Sequence, residues 1–202
     1  MHDTFTQEVA VVAAGHAAGY ALSLPSWSRI VLIAPTWRGP LAVMGAPASV
    51  RKGIRKLVRS PLIGQALYGL NTQPRFLKWM YQRHVFVDET QLTPAYIAQR
   101  HQNTQKPRAR YAPAAFVTGG LDPADERAEF LVMLEQQSAP VMVIVADNAP
   151  PSSKAEMEAM TQSPEVQVAH LPGSLGMAEE LGDAIAPTIL RFLQEGHSTC
   201  GE

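Results

Sequence analysis

The stretch Val11-Val12-Ala13-Ala14-Gly15-His16-Ala17-Ala18-Gly19-Tyr20-Ala21-Leu22 decides how the rest of the chain is read. It belongs to a small-apolar run starting at Val9, a composition that suits a strand covered on both faces. Gly15 and Gly19 bracket a tight turn, and a short helix follows as far as Pro25. Arg29-Ile30-Val31-Leu32-Ile33-Ala34 is a second buried run, ended by Pro35. Strand, helix and strand at this spacing predict a βαβ unit with a right-handed crossover.

Working outward, residues 40–110 change character. Helical patterns run over Val50–Ile63 and Pro74–Val85, and a third follows Thr93-Pro94, where proline suits a first turn. From residue 111 the sheet pattern resumes. Ala114-Ala115-Phe116-Val117-Thr118 predicts a short strand, and Asp122 or Asp125 is placed to cap a helix to about Gln136. Pro140–Ala146 is the third clear β run; Ser152 or Ser153 then caps a helix through Met160. Val166–Leu171 gives another strand. A final helix over about Ala178–Gln194 puts Leu181, Ile185, Ile189 and Phe192 on one face. The expected fold class is α/β, a short parallel sheet of about four strands flanked by helices, with core segments 1–39 and 111–202 around a helical lid insertion at 40–110.

At 202 residues and 46% apolar, the chain is long enough to bury a substantial core. No apolar run approaches the ~20 residues needed to span a bilayer. The start, Met1-His2-Asp3-Thr4-Phe5, lacks the basic and then apolar pattern of a signal peptide, so a cytoplasmic location is expected. The single Cys200 excludes an internal disulfide and a cysteine metal cluster. No metal or cofactor is expected. The net charge of −1 hides a segregation: between Arg51 and Arg110 twelve Lys or Arg face Asp88 and Glu89, whereas from Tyr111 onward fourteen acidic residues face Arg127, Lys154 and Arg191. Mutual neutralisation explains this, and attraction of an anionic substrate or lipid surface is the sharper alternative.

Parallel strands alternating with helices, a helical insertion after the second strand and a Gly-x-x-x-Gly turn after the first together resemble the C-terminal half of the α/β-hydrolase fold. Gly15-His16-Ala17-Ala18-Gly19 resembles the G-x-S-x-G nucleophile elbow of that superfamily. The resemblance implies that position 17 sits on a strained strand-to-helix turn and that the Ala18 N–H supplies half of an oxyanion hole. It places a catalytic acid after the third strand, where Asp147 stands, and a histidine in the loop after the last strand. That loop, Leu171-Pro172-Gly173-Ser174-Leu175-Gly176-Met177, holds no histidine; His170 lies inside the strand. With Ala17 in place of a nucleophile the acyl-enzyme route is closed at this position. His16, Asp147 and His170 are the candidate catalytic residues, and Gly15, Ala17, Ala18 and Gly19 the remains of the elbow. Ser174 and Ser153 read as turn or cap residues rather than substitute nucleophiles.

The resemblance implies an ester hydrolase of small apolar esters with a degenerate triad; the alternative is a non-catalytic protein that binds a small hydrophobic or anionic ligand or a protein partner. Relative to the superfamily the fold reads as truncated, leaving Val9 to Ala14 as an open edge. An apolar edge strand invites pairing, so a homodimer through that strand is expected, with a fold-back of Met1–Glu8 or cover of the short sheet by the lid as the alternatives. The basic amphipathic stretch Val50–Arg59 reads as a solvated lid helix, with membrane-surface contact the less favoured reading. No nucleic-acid partner is expected, since Trp79, Tyr81, Phe86 and Tyr96 occur without a recognised motif.

Overall fold

The computed structural model describes residues 9–24 and 26–195. In chain order the elements are β1 (Val11–Ala14), α1 (Ala17–Leu22), β2 (Ile30–Ile33), α2 (Pro40–Val43), α3 (Ala48–Arg59), α4 (Ile63–Asn71), α5 (Pro74–His84), a 3-10 turn at Glu89–Gln91, α6 (Pro94–Thr104), α7 (Tyr111–Val117), α8 (Arg127–Glu135), β3 (Val141–Ala146), α9 (Pro151–Met160), β4 (Val166–Leu171), α10 (Met177–Glu180) and α11 (Gly182–Gln194). The described residues form two compact units, one within 9–37 and 123–195, the other of residues 38–122.

The first unit is built on one four-stranded parallel sheet in the order β1-β2-β3-β4. The two central strands, Ile-Val-Leu-Ile and Val-Met-Val-Ile-Val-Ala, are buried throughout, which parallel strands covered on both faces require. The edges are less buried: β1 buries Ala13 and leaves Val12 at 47% exposure. Trp37 stacks on Phe130 at 5.2 Å and donates through Nε1 to buried Glu156, whose carboxylate also receives two bonds from Arg127 at 2.8 and 2.9 Å.

The second unit is helical. Its two ends are tied by the Gly39 N–H, which donates to Asp122 Oδ1 at 2.8 Å. Asp122 therefore serves the start of α2, and neither it nor Asp125 is the cap of α8, which begins after Glu126. Phe86, Leu92 and Ile97 make a separate small core, with Tyr81 and Tyr96 packed against it.

Several boundaries differ from the sequence expectation. Residues 114–118 belong to α7 and its cap, not to a strand. Alanines favour a helix, Pro113 fits its first turn, and the Thr118 hydroxyl donates to Ala114 O at 2.6 Å before left-handed Gly119 ends it. The helix from Val50 stops at Arg59, because Pro61 cannot continue it, and the Ser60 hydroxyl accepts from Gly64 N–H to open α4. α9 begins on Pro151 after Pro150, with Ser152 and Ser153 inside the first turn rather than capping it. The last helix is broken at Leu181 into α10 and α11. Met1–Glu8, Pro25 and Cys200 lie outside the described residues.

Candidate active site

The carboxyl ends of parallel strands are where open α/β sheets place their ligands, and every candidate residue lies there. β1 ends at Ala14, and the chain reverses at Gly15, whose φ of +55° is the left-handed conformation that glycine adopts without strain. His16 and Ala17 are already helical or nearly so: His16 has φ −68° and ψ −20°, and Ala17 is the first residue of α1. The strained position expected at Ala17 is thus absent; the reversal is completed two residues earlier, where it costs least. Ala17 is exposed. The Ala18 N–H donates to Gly15 O at 3.2 Å, and the same carbonyl receives Thr36 N–H at 3.0 Å. The amide assigned to an oxyanion hole is spent inside the turn. Gly19 admits no side chain, because a β-carbon there would collide with the Pro123 ring.

His16 turns its ring edge-on to Tyr20, with centroids 6.1 Å apart. It follows β1, whereas Asp147 follows β3, and β2 runs between them. Neighbouring strands lie about 4.8 Å apart, so roughly 10 Å separates β1 from β3.

Asp147 and His170 do come together. β3 and β4 are in parallel register with Val145 opposite His170, and the Asp147 N–H donates to Leu171 O at 3.0 Å, fixing the backbone of both strand ends. His170 Nδ1 then lies 3.1 Å from Asp147 Oδ1. A carboxylate only accepts, so Nδ1 carries a proton, and in the neutral ring Nε2 is the basic atom; half of the imidazole is exposed to solvent. Lys154, from the first turns of α9, completes the group: its Nζ donates to Asp147 O at 3.2 Å and lies 3.6 Å from Oδ1. The His170 hydrogen bond, and then the charges of His170 and Lys154, hold the Asp147 carboxyl below the usual carboxylate range.

Sequence reading missed Lys154; its one signal was a lysine seven residues after Asp147, one helical turn past the start of α9. The loop after β4 is a packed knot. Ser174 is buried and its carbonyl accepts from Met177 N–H, while Gly173 sits against Met177 and Leu181. Ser174 is a turn residue there. Among the described residues no group of three His, Cys, Asp or Glu could hold a metal ion, and no helix is long and apolar enough to cross a membrane.

This architecture is the α/β-hydrolase fold. No family model matches the chain, and no curated protein matches its sequence. Solved structures do. A thermophilic esterase from Thermogutta terrifontis with malate bound is similar over 98% of this chain and 68% of its own, at TM-score 0.62 and 14% identity. The enol-lactonase from Burkholderia xenovorans LB400 matches over 93% and 66%, at 0.57 and 14%. The proline iminopeptidase of Mycobacterium smegmatis matches over 93% and 65%, at 0.57 and 17%. The chain therefore spans about two thirds of the length of these neighbours. An esterase, a lactonase and a peptidase share one fold, so the likeness carries architecture and leaves the reaction to the site.

Proposed function

We propose that the chain hydrolyses small carboxylic esters slowly, through water activated by His170, and not through a covalent acyl-enzyme. The Asp147–His170 hydrogen bond carries this reading. In the neutral imidazole it keeps the proton on Nδ1 and makes Nε2 of this half-exposed ring the atom able to take a proton from water as the resulting hydroxide adds to an ester carbonyl. The tetrahedral intermediate then expels the alkoxide or phenolate, and the imidazolium returns the proton to it. General-base catalysis of this kind contributes about 10²-fold or more. With the Ala18 amide engaged, little oxyanion stabilisation adds to it.

Turnover of p-nitrophenyl acetate and butyrate tests the proposal. Turnover above buffer, without a burst, lost in His170→Ala and reduced in Asp147→Ala is the expected result. Turnover that survives His170→Ala overturns it.

The spent Ala18 amide favours a second reading, a ligand-binding protein without chemistry. Its signature is no turnover above buffer together with a rise in melting temperature on adding a short-chain ester or carboxylate.

A further inference from the structure

The charge segregation follows the two units closely. Residues 38–122 carry thirteen Lys or Arg against Asp88, Glu89 and Asp122, whereas the remainder carries four against fifteen acidic residues. Within the basic unit, α3 buries none of its twelve residues. Arg51 and Arg55 are committed to the end of α7: Arg55 donates to Thr118 Oγ1 at 2.9 Å and to Thr118 O at 3.0 Å, and Arg51 Nη1 reaches the same carbonyl at 3.4 Å. Lys52, Lys56 and Arg59 follow the same flank of the helix at i, i+4 and i+7. With Arg55 they line a shallow recess of ≈ 140 Å³.

The turn after this helix is apolar and open. Leu62 is 83% exposed and Ile63 59%, with Leu57 at 43% one turn back. Large aliphatic side chains at a tip rimmed by cations suit an interface that is anionic outside and hydrocarbon within. A folded nucleic acid would engage the cations and gain nothing from Leu62 and Ile63.

We propose that the α3–α4 corner docks on an anionic lipid bilayer, with Lys52, Lys56 and Arg59 on lipid phosphates and Leu62 and Ile63 below the headgroups. This inference is independent of the reaction assigned to Asp147 and His170. Each lysine or arginine near such a surface strengthens partition about fivefold, and each inserted aliphatic side chain about tenfold. Screening weakens the electrostatic part as salt rises.

Co-sedimentation of the full chain with phosphatidylcholine vesicles, with and without 30% phosphatidylglycerol, tests it. Binding to the anionic vesicles alone, weakened severalfold between 0.1 and 0.5 M NaCl, is expected. The triple variant K52E/K56E/R59E should lose at least 50-fold and L62S/I63S at least tenfold. All five positions are exposed or half-exposed, and circular dichroism melting confirms that each variant folds. No sedimentation with anionic vesicles, equal binding to both vesicle types, or L62S/I63S binding like the parent overturns the proposal. Tighter binding to a fluorescent 20-nucleotide RNA than to anionic vesicles at the same salt reassigns the surface to nucleic acid.

Discussion

The amide of Ala18 donates to the carbonyl of Gly15 at 3.2 Å, closing the turn after β1 on itself. A donor directed inward cannot meet charge developing on a substrate oxygen. The turn after β1 is thus an ordinary helix start, with the left-handed residue at Gly15 and position 17 already helical.

A hydroxyl introduced at position 17 should therefore not act as a nucleophile. Ala17→Ser places it on the first turn of α1, at the end of β1, with β2 and β3 between it and the strand that carries His170. A fluorophosphonate probe should leave the variant unlabelled, and p-nitrophenyl acetate should show no acyl burst. Stoichiometric labelling would show that the turn still activates a serine.

The Asp147–His170–Lys154 group should be visible in acid titration. A carboxyl held below its ordinary range adds stability that is complete above the unfolded Asp pKa, ~3.9, and is lost as pH falls through the lower native value. Asp147 is more than a third exposed, so the effect on melting is small. A carboxyl-carbon NMR titration should show the Asp147 midpoint rise in His170→Ala and rise less in Lys154→Met.

Glu156 ties α9 to the start of α8 through Arg127 and to the loop after β2 through Trp37. Glu156→Gln keeps the shape but surrenders the charge-assisted bonds of a buried carboxylate. It should cost about 2 kcal/mol, read by urea denaturation, with half-exposed Arg127 rehydrating to soften the loss.

The outer edge of β1 is where the expected homodimer is to be tested. Val11 bonds toward β2 through its N–H, so the backbone groups of Ala10, Val12 and Ala14 point the other way, beside the half-exposed Val12 side chain. Sedimentation equilibrium at about 10 µM should give twice the 22.0 kDa chain mass, and Val12→Lys should return it to the monomer. A wild-type monomer at that concentration removes the edge-to-edge pairing.

The sheet was legible because its signal is redundant. Ile30–Ile33 and Val141–Ala146 are continuous apolar runs between prolines and turns, and a fully buried parallel strand admits little else. Ala114–Thr118 misled for the opposite reason. Five small or apolar residues carry no period, and Pro113, the Thr118 hydroxyl and Gly119 decide for a helix. The resemblance singled out Asp147 by its place after β3. Its pairing with His170 was not legible, because it depends on the β3–β4 register that puts Val145 opposite His170, and a one-residue slip would turn the imidazole to the other face. The spent Ala18 amide was hidden for the same kind of reason: a hydrogen bond within a turn leaves no mark in the residue types.

The bond from Gly39 to Asp122 has a consequence for how the chain assembles. β2 and β3 are hydrogen-bonded neighbours, yet roughly a hundred residues separate them, and closing so long a flexible loop costs about 4 kcal/mol in entropy. Once residues 38–122 have folded and pinned their two ends, that stretch behaves as a short tether and the cost has already been met. Zippering of the sheet's centre should then wait on the excursion outside it, making the helical segment a kinetic gatekeeper for strands it does not belong to.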